Sequence, residues 1–179
     1  EYRQFTNWVR DSILRKKLAA DYPEDWALKG KDEFGDIVTL MGAPDDTERI
    51  DWSKDLNSRN TIDQVRGILE DEMYLPQAER LDGRKEFDTR EFIYTYQILD
   101  INTAAVKSKR EGDAKGKRDR REFLSWINDG QGVKIYPDTL TWTHDYAYSF
   151  NDPFTKNYYH HPAFDDYPVV GVNWVQANA

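Results

Sequence analysis

The sequence predicts an α+β fold with a large share of irregular chain. Three observations carry this. Apolar residues recur at helical spacing over 2–20 and again over 61–73. A stretch at 91–99 alternates with period two, as a half-buried strand does. The segments never settle into the strand–helix–strand rhythm of a doubly wound sheet, and no internal repeat is visible.

The first element is a helix over 2–20, in which Tyr2, Phe5, Trp8, Val9, Ile13 and Leu14 share a face and Arg3, Arg10, Asp11, Arg15 and Lys16 lie mostly opposite. It is predicted to stop before Asp21-Tyr22-Pro23, because the residue before a proline is forced out of helical backbone. An irregular stretch follows from Tyr22 to Asn60, with turns at Gly30, Gly35, Gly42 and Pro44 and with Trp26 and Trp52 as buried loop anchors. Thr61 and Gln64 have the spacing of a capping box. They open a helix with the stripe Ile62, Val65, Ile68, Leu69 and Met73, bounded by Pro76.

"EFIYTYQIL" (91–99) then reads as one strand with Phe92, Tyr94, Tyr96 and Ile98 on one face. Phe123, Leu124, Trp126 and Ile127 suggest a short helix ending near Gly130. "VKIYPDTLTWTHDYAYSF" (133–150) reads as extended, broken by a turn or edge at Pro137-Asp138. After an aromatic loop at 146–164, a strand is expected at Val169–Val172. It should lie centrally, with a neighbour's backbone or ring close to Gly171. A helix then begins at Val175-Gln176 with no cap foreseen.

At 179 residues the chain is most simply one domain. Its 39% hydrophobic content is low, but six Trp, eleven Tyr and eight Phe can build a core from few large rings. No run approaches the length of a membrane span. There is no Cys, so these residues hold no disulfide, thiolate metal site or Cys nucleophile. The chain starts at Glu1 rather than Met and stops in the opening turn of a predicted helix. It therefore reads as an excerpt, with any targeting signal upstream.

A net charge of −8 argues against general nucleic-acid binding. Residues 107–121 run against that balance, with eight Lys/Arg to three Asp/Glu. This basic segment reads either as a solvated loop or as a docking element for an acidic partner or anionic headgroups.

His160-His161 is the obvious metal candidate, but adjacent strand residues face opposite ways. With His144 the only other His, a zinc site would need Asp165 or Asp166. A hydrogen-bonded structural pair before Pro162 is the competing reading. The acidic clusters Asp32-Glu33, Asp36, Asp45-Asp46 and Asp165-Asp166 lack calcium-loop spacing, and carboxylate pairs for glycoside chemistry are expected by chance in so acidic a chain. Nucleophile-elbow, phosphate-loop and dinucleotide motifs are absent. The residues alone therefore give an acidic, aromatic-rich α+β domain without a catalytic constellation.

The two ends of the chain add a resemblance. "YPVVGVNWVQANA" (167–179) resembles the signature of the formylglycine-generating enzyme (sulfatase-modifying factor) domain family, and "EYRQFTNWVRDSI" (1–13) resembles that family's early helix. Within the family, residues 133–179, including "HPAFDDYPVVGV", are similar to the gliding-motility lipoproteins of GldK/PorK type, which belong to the type IX secretion system of Bacteroidetes.

The resemblance implies an irregular, loop-rich fold related to C-type lectins. Residues 1–179 would form the N-terminal part of one such domain, with a family-specific insertion within about 22–130. It further implies an outer-membrane lipoprotein on the periplasmic face, with its lipid anchor upstream of Glu1. That lipoprotein would form a ring by self-assembly with a GldN/PorN-type periplasmic partner and would meet other secretion components.

The family's oxidase chemistry depends on Cys residues and the copper they hold in the C-terminal half. No catalytic, metal or cofactor residue carries over to this Cys-free chain, which implies a non-catalytic scaffold. Two alternatives stand beside it. One is an oxidase whose catalytic half lies beyond Ala179, marked by closely spaced Cys there. The other is a glycan- or peptidoglycan-binding module, marked by Trp142, Tyr158 and Tyr159 exposed around a groove. The residues expected to meet a ring partner are Arg118, Arg120 and Arg121 in the basic segment and Tyr158 and Tyr159 in the aromatic loop.

Overall fold

Helix α1 spans Tyr2–Asp21, one residue past the expected end. Val9, Leu14, Leu18 and Ala19 are buried along it, and the Tyr22 amide closes it on the Leu18 carbonyl. Pro23 opens a short helix α2 (Pro23–Trp26) at its first position, where the missing N–H costs nothing. In this computed structural model the described residues are 1–31, 34, 37–39, 41–42, 47–80, 83–105, 120–142, 150, 158–159 and 161–179. They form two compact units, Glu1–Phe92 and Ile93–Ala179. The boundary falls inside the 22–130 stretch that the resemblance reads as an insertion.

The first unit is built around Trp26, which is fully buried among Leu14, Leu18, Ala19, Val65, Ile68 and Met73. The helical stripe read from 61–73 is thus confirmed, as α3 (Ile62–Ile68) continued by a wider turn at Leu69–Met73. The stretch 22–60 is more ordered than its turn residues suggest. It holds two antiparallel ladders, β1 (Lys29–Lys31) with β2 (Ile37–Thr39), and β3 (Met41–Gly42) with β4 (Thr47–Glu48).

Trp52 is not a buried anchor. It is 49% exposed and stacks on Trp8 at 6.0 Å between ring centres, nearly parallel. The Arg15 guanidinium lies 5.4 Å from the Trp52 ring centre and 5.8 Å from that of Trp26. This cation–π contact links the exposed indole to the buried one.

The capping box expected at Thr61 is not formed. Thr61 occupies the cap position but makes no side-chain cap bond, and its buried Oγ1 has no partner among the described residues. Gln64 is drawn into tertiary structure instead. Its Oε1 accepts from Trp26 Nε1 at 2.9 Å and its Nε2 donates to Asp25 at 2.8 Å. A buried indole N–H without an acceptor is costly, and that need outweighs a local cap.

The two readings separate in a denaturation experiment. Gln64→Ala is expected to cost about 1–3 kcal/mol by orphaning the Trp26 donor. Thr61→Ala should be close to neutral, whereas a working cap would lose about 1 kcal/mol.

In the second unit the single strand expected at 91–99 is two. Strand β5 (Ile93–Tyr94) pairs with β8 (Val133–Lys134), and β6 (Gln97–Leu99) pairs with β7 (Leu124–Trp126), both antiparallel. The chain leaves the ladder between them, and the Tyr94 and Tyr96 rings stack 6.1 Å apart. A short helix α4 (Ile101–Ala105) follows, its start held by Asp100, which accepts from the Thr103 amide at 3.0 Å.

The helix expected over 123–130 is also corrected. Leu124–Trp126 is strand β7, followed by a tight turn at Ile127–Gly130. Apolar residues at 123, 124, 126 and 127 fit either period, and pairing with β6 decides between them. In the turn Asn128 and Asp129 adopt left-handed backbone, and Asn128 Nδ2 donates to the Gly132 carbonyl at 2.9 Å.

Candidate functional site

The most structured feature of the second unit is a knot of side-chain bonds around its last residues. Asp138 makes the turn foreseen at Pro137-Asp138. Its Oδ1 accepts from the Leu140 amide at 2.9 Å, and its carbonyl accepts from Thr141 Oγ1 at 2.8 Å. The Asp138 amide donates to the Gly171 carbonyl at 2.8 Å, fixing this turn against the closing segment.

That segment is not the central strand the sequence suggests. Residues 169–172 form no ladder, and Val169 is 40% exposed. Gly171 has φ +73, which breaks extended backbone. The expectation of a close approach at Gly171 does hold: a Cβ there would lie 2.3 Å from the Asp138 carbonyl oxygen and 2.8 Å from the Tyr159 hydroxyl.

Phenols replace the missing ladder. Tyr158 is buried and donates to the Pro168 carbonyl. The Tyr159 hydroxyl is within hydrogen-bond distance of the Asp138 and Val170 carbonyls, at 3.0 and 2.9 Å. Burial pushes the Tyr159 phenol above the ordinary tyrosine pKa.

The end of the segment carries the capping box that the sequence suggested elsewhere. Asn173 Oδ1 accepts from the Gln176 amide at 2.8 Å, and Gln176 Oε1 accepts from the Asn173 amide at 2.7 Å. They open helix α5 (Trp174–Ala177). Gln176 Nε2 also donates to the Lys134 carbonyl at 2.8 Å, and Tyr96 Oη donates to the Val175 carbonyl at 2.8 Å. The short helix is thus tied to β8 and to the break between β5 and β6.

Between this helix and the Asp138 turn lies an open cleft of about 530 Å³, lined among others by Tyr136, Asp138, Thr141, Val172, Asn173 and Gln176. None of these was singled out as a site residue from sequence. The Asn-x-x-Gln spacing at 173–176 and the Pro-Asp-Thr turn were the signals available.

Arg118 lies outside the described residues, as do His144, His160, Asp32, Glu33, Asp36, Asp45 and Asp46 and most of segments 107–121 and 146–164. Arg120 begins a tight helical turn through Phe123, and Arg121 within it is exposed. Tyr158 is an interior support, ringed by Trp142, Phe164 and Tyr167 at 5.5, 5.5 and 6.4 Å. The exposed aromatic trio that would mark a sugar platform is therefore not formed by Tyr158, and Tyr159 is half-buried.

His161 is exposed and structural: its Nδ1 accepts from the Ala163 amide at 3.1 Å, capping the turn Pro162–Phe164. Asp165 and Asp166 are exposed, and no group of three or more His, Asp or Glu among the described residues is placed to hold a metal ion. No described helix is long and apolar enough to cross a membrane.

No family model matches the chain, and no curated protein and no solved structure shows significant similarity to it.

Proposed function

We propose that this chain is part of a non-catalytic structural lipoprotein of the type IX secretion and gliding machinery, with a formylglycine-generating-enzyme-like fold. In this reading it is held at the periplasmic face of the outer membrane by an anchor outside these residues. It assembles into a ring with a GldN/PorN-type partner.

The observation that carries the reading is the phrase "HPAFDDYPVVGVNWVQANA" at 161–179, with "EYRQFTNWVRDSI" in the expected order at 1–13. The use made of that phrase supports a structural role over a catalytic one. His161 caps a turn, Gly171 is wedged against a carbonyl, and Asn173 and Gln176 cap a helix. The residues 1–179 also contain none of the Cys on which the family's oxidase chemistry rests.

Isolation of the tagged protein from native membranes, followed by mass and shape analysis, tests this. The expected result is a large ring with one stoichiometric partner, and recovery of a lone monomer would refute it. Reversing the charges of Arg118, Arg120 and Arg121 to Glu should weaken the assembly more at low salt than at high salt. Unchanged assembly would remove the basic segment as its docking element.

A further inference from the structure

We propose that the cleft between the Asp138 turn and the start of α5 binds a neutral saccharide or a polyol of similar chemistry. The inference goes beyond the ring reading and holds whether or not that reading does. Its volume of about 530 Å³ is within the range of small-molecule sites.

Two of its lining side chains are half engaged and half available. Asp138 Oδ1 is fixed by the Leu140 amide, and Asn173 Oδ1 by the Gln176 amide. Asp138 Oδ2 and Asn173 Nδ2 have no hydrogen-bond partner among the described residues. The bonds to backbone orient each side chain, so the remaining acceptor and donor lose little freedom on binding.

A carboxylate acceptor together with an amide donor suits paired hydroxyls, each of which both gives and takes a hydrogen bond. Thr141 and Gln176 add polar lining, while half-buried Tyr136 and Val172 contribute aromatic and apolar residues for the C–H face of a pyranose. The electrostatics select further. Among the described lining residues there is no Lys, Arg or His and one carboxylate, Asp138, which disfavours phosphates, sulfates and uronic acids.

Backbone amide NMR of the chain, titrated with cellobiose, N,N′-diacetylchitobiose and maltose, tests the proposal. At least one should give saturable shifts centred on 136–141 and 171–176. Asp138→Asn and Asn173→Asp keep the oxygen that accepts the backbone amide, and Asp is as good a helix cap as Asn. Each should weaken that binding about tenfold while leaving the melting curve in place. Glucuronate should bind more weakly than the neutral sugars. The proposal is overturned if no sugar gives saturable shifts, if both variants bind as the parent does, or if glucuronate binds best.

Discussion

Gly171→Ala is expected to cost the second unit about 3 kcal/mol. Left-handed backbone costs a residue with a Cβ about 1–2 kcal/mol, and Gly171 has φ +73. The new methyl would also lie 2.3 Å from the Asp138 carbonyl oxygen, an atom held by the Thr141 and Tyr159 hydroxyls. A contact against fixed backbone is relieved only by moving the closing segment, and forced overpacking typically costs about 1–3 kcal/mol.

Gly130 provides the control. Its φ is +89, but a Cβ there meets nothing within 4 Å. Gly130→Ala should therefore lose the conformational part alone, about 1–2 kcal/mol. Urea titration of both variants reads the difference, and equal losses would mean that the contact at Gly171 relaxes without cost.

Trp26→Ala should be the most damaging single change in the first unit, at about 3–5 kcal/mol. The indole is fully buried at the meeting point of α1, α2 and α3. Removing it opens a cavity, frees Gln64 and leaves Arg15 without one of its two rings. At about 4 °C per kcal/mol or more for a unit of this size, the melting temperature should fall by roughly 12 °C or more.

Trp52→Ala tests the same argument from the other side. Its ring is half exposed and stacks on the half-exposed Trp8, so its loss should cost only about 1 kcal/mol. A larger effect for Trp52 than for Trp26 would invert the assignment of the anchor.

The two Trp residues show what was legible. Composition and turn residues placed both in the same irregular stretch and gave them the same role. Burial depends on which ring lies opposite α3, and that is a property of distant residues. The helices α1 and α3 were readable because a 3.6-residue repeat sustained over many residues admits one periodic solution. The two capping boxes show the opposite case. The same three-residue spacing is used at Asn173–Gln176 and overridden at Thr61–Gln64, since only the second Gln sits under a buried indole N–H.

The strands were harder because each is only two or three residues long, so alternation cannot fix where pairing stops. Residues 91–99 alternate throughout, yet they divide between two partners, β8 and β7. Of the site, the turn at Asp138 and the crowding at Gly171 were foreseen, whereas the cleft they help to form was not. Its lining comes from 136–141 and 171–176, which sequence lists as a turn and the end of a strand.

By itself, then, the sequence determined helices α1 and α3, the absence of Cys and a glycine that a neighbour approaches closely. These rest on repeat length, composition and single-residue sterics, all of which are local. Only the tertiary structure decided that Tyr158 and Tyr159 hold carbonyls inside the fold, that Gln64 serves an indole, and that Val169–Val172 is clamped by phenols. Each of those outcomes turns on which buried polar group most needs a partner, and that need is set by residues far away in the chain.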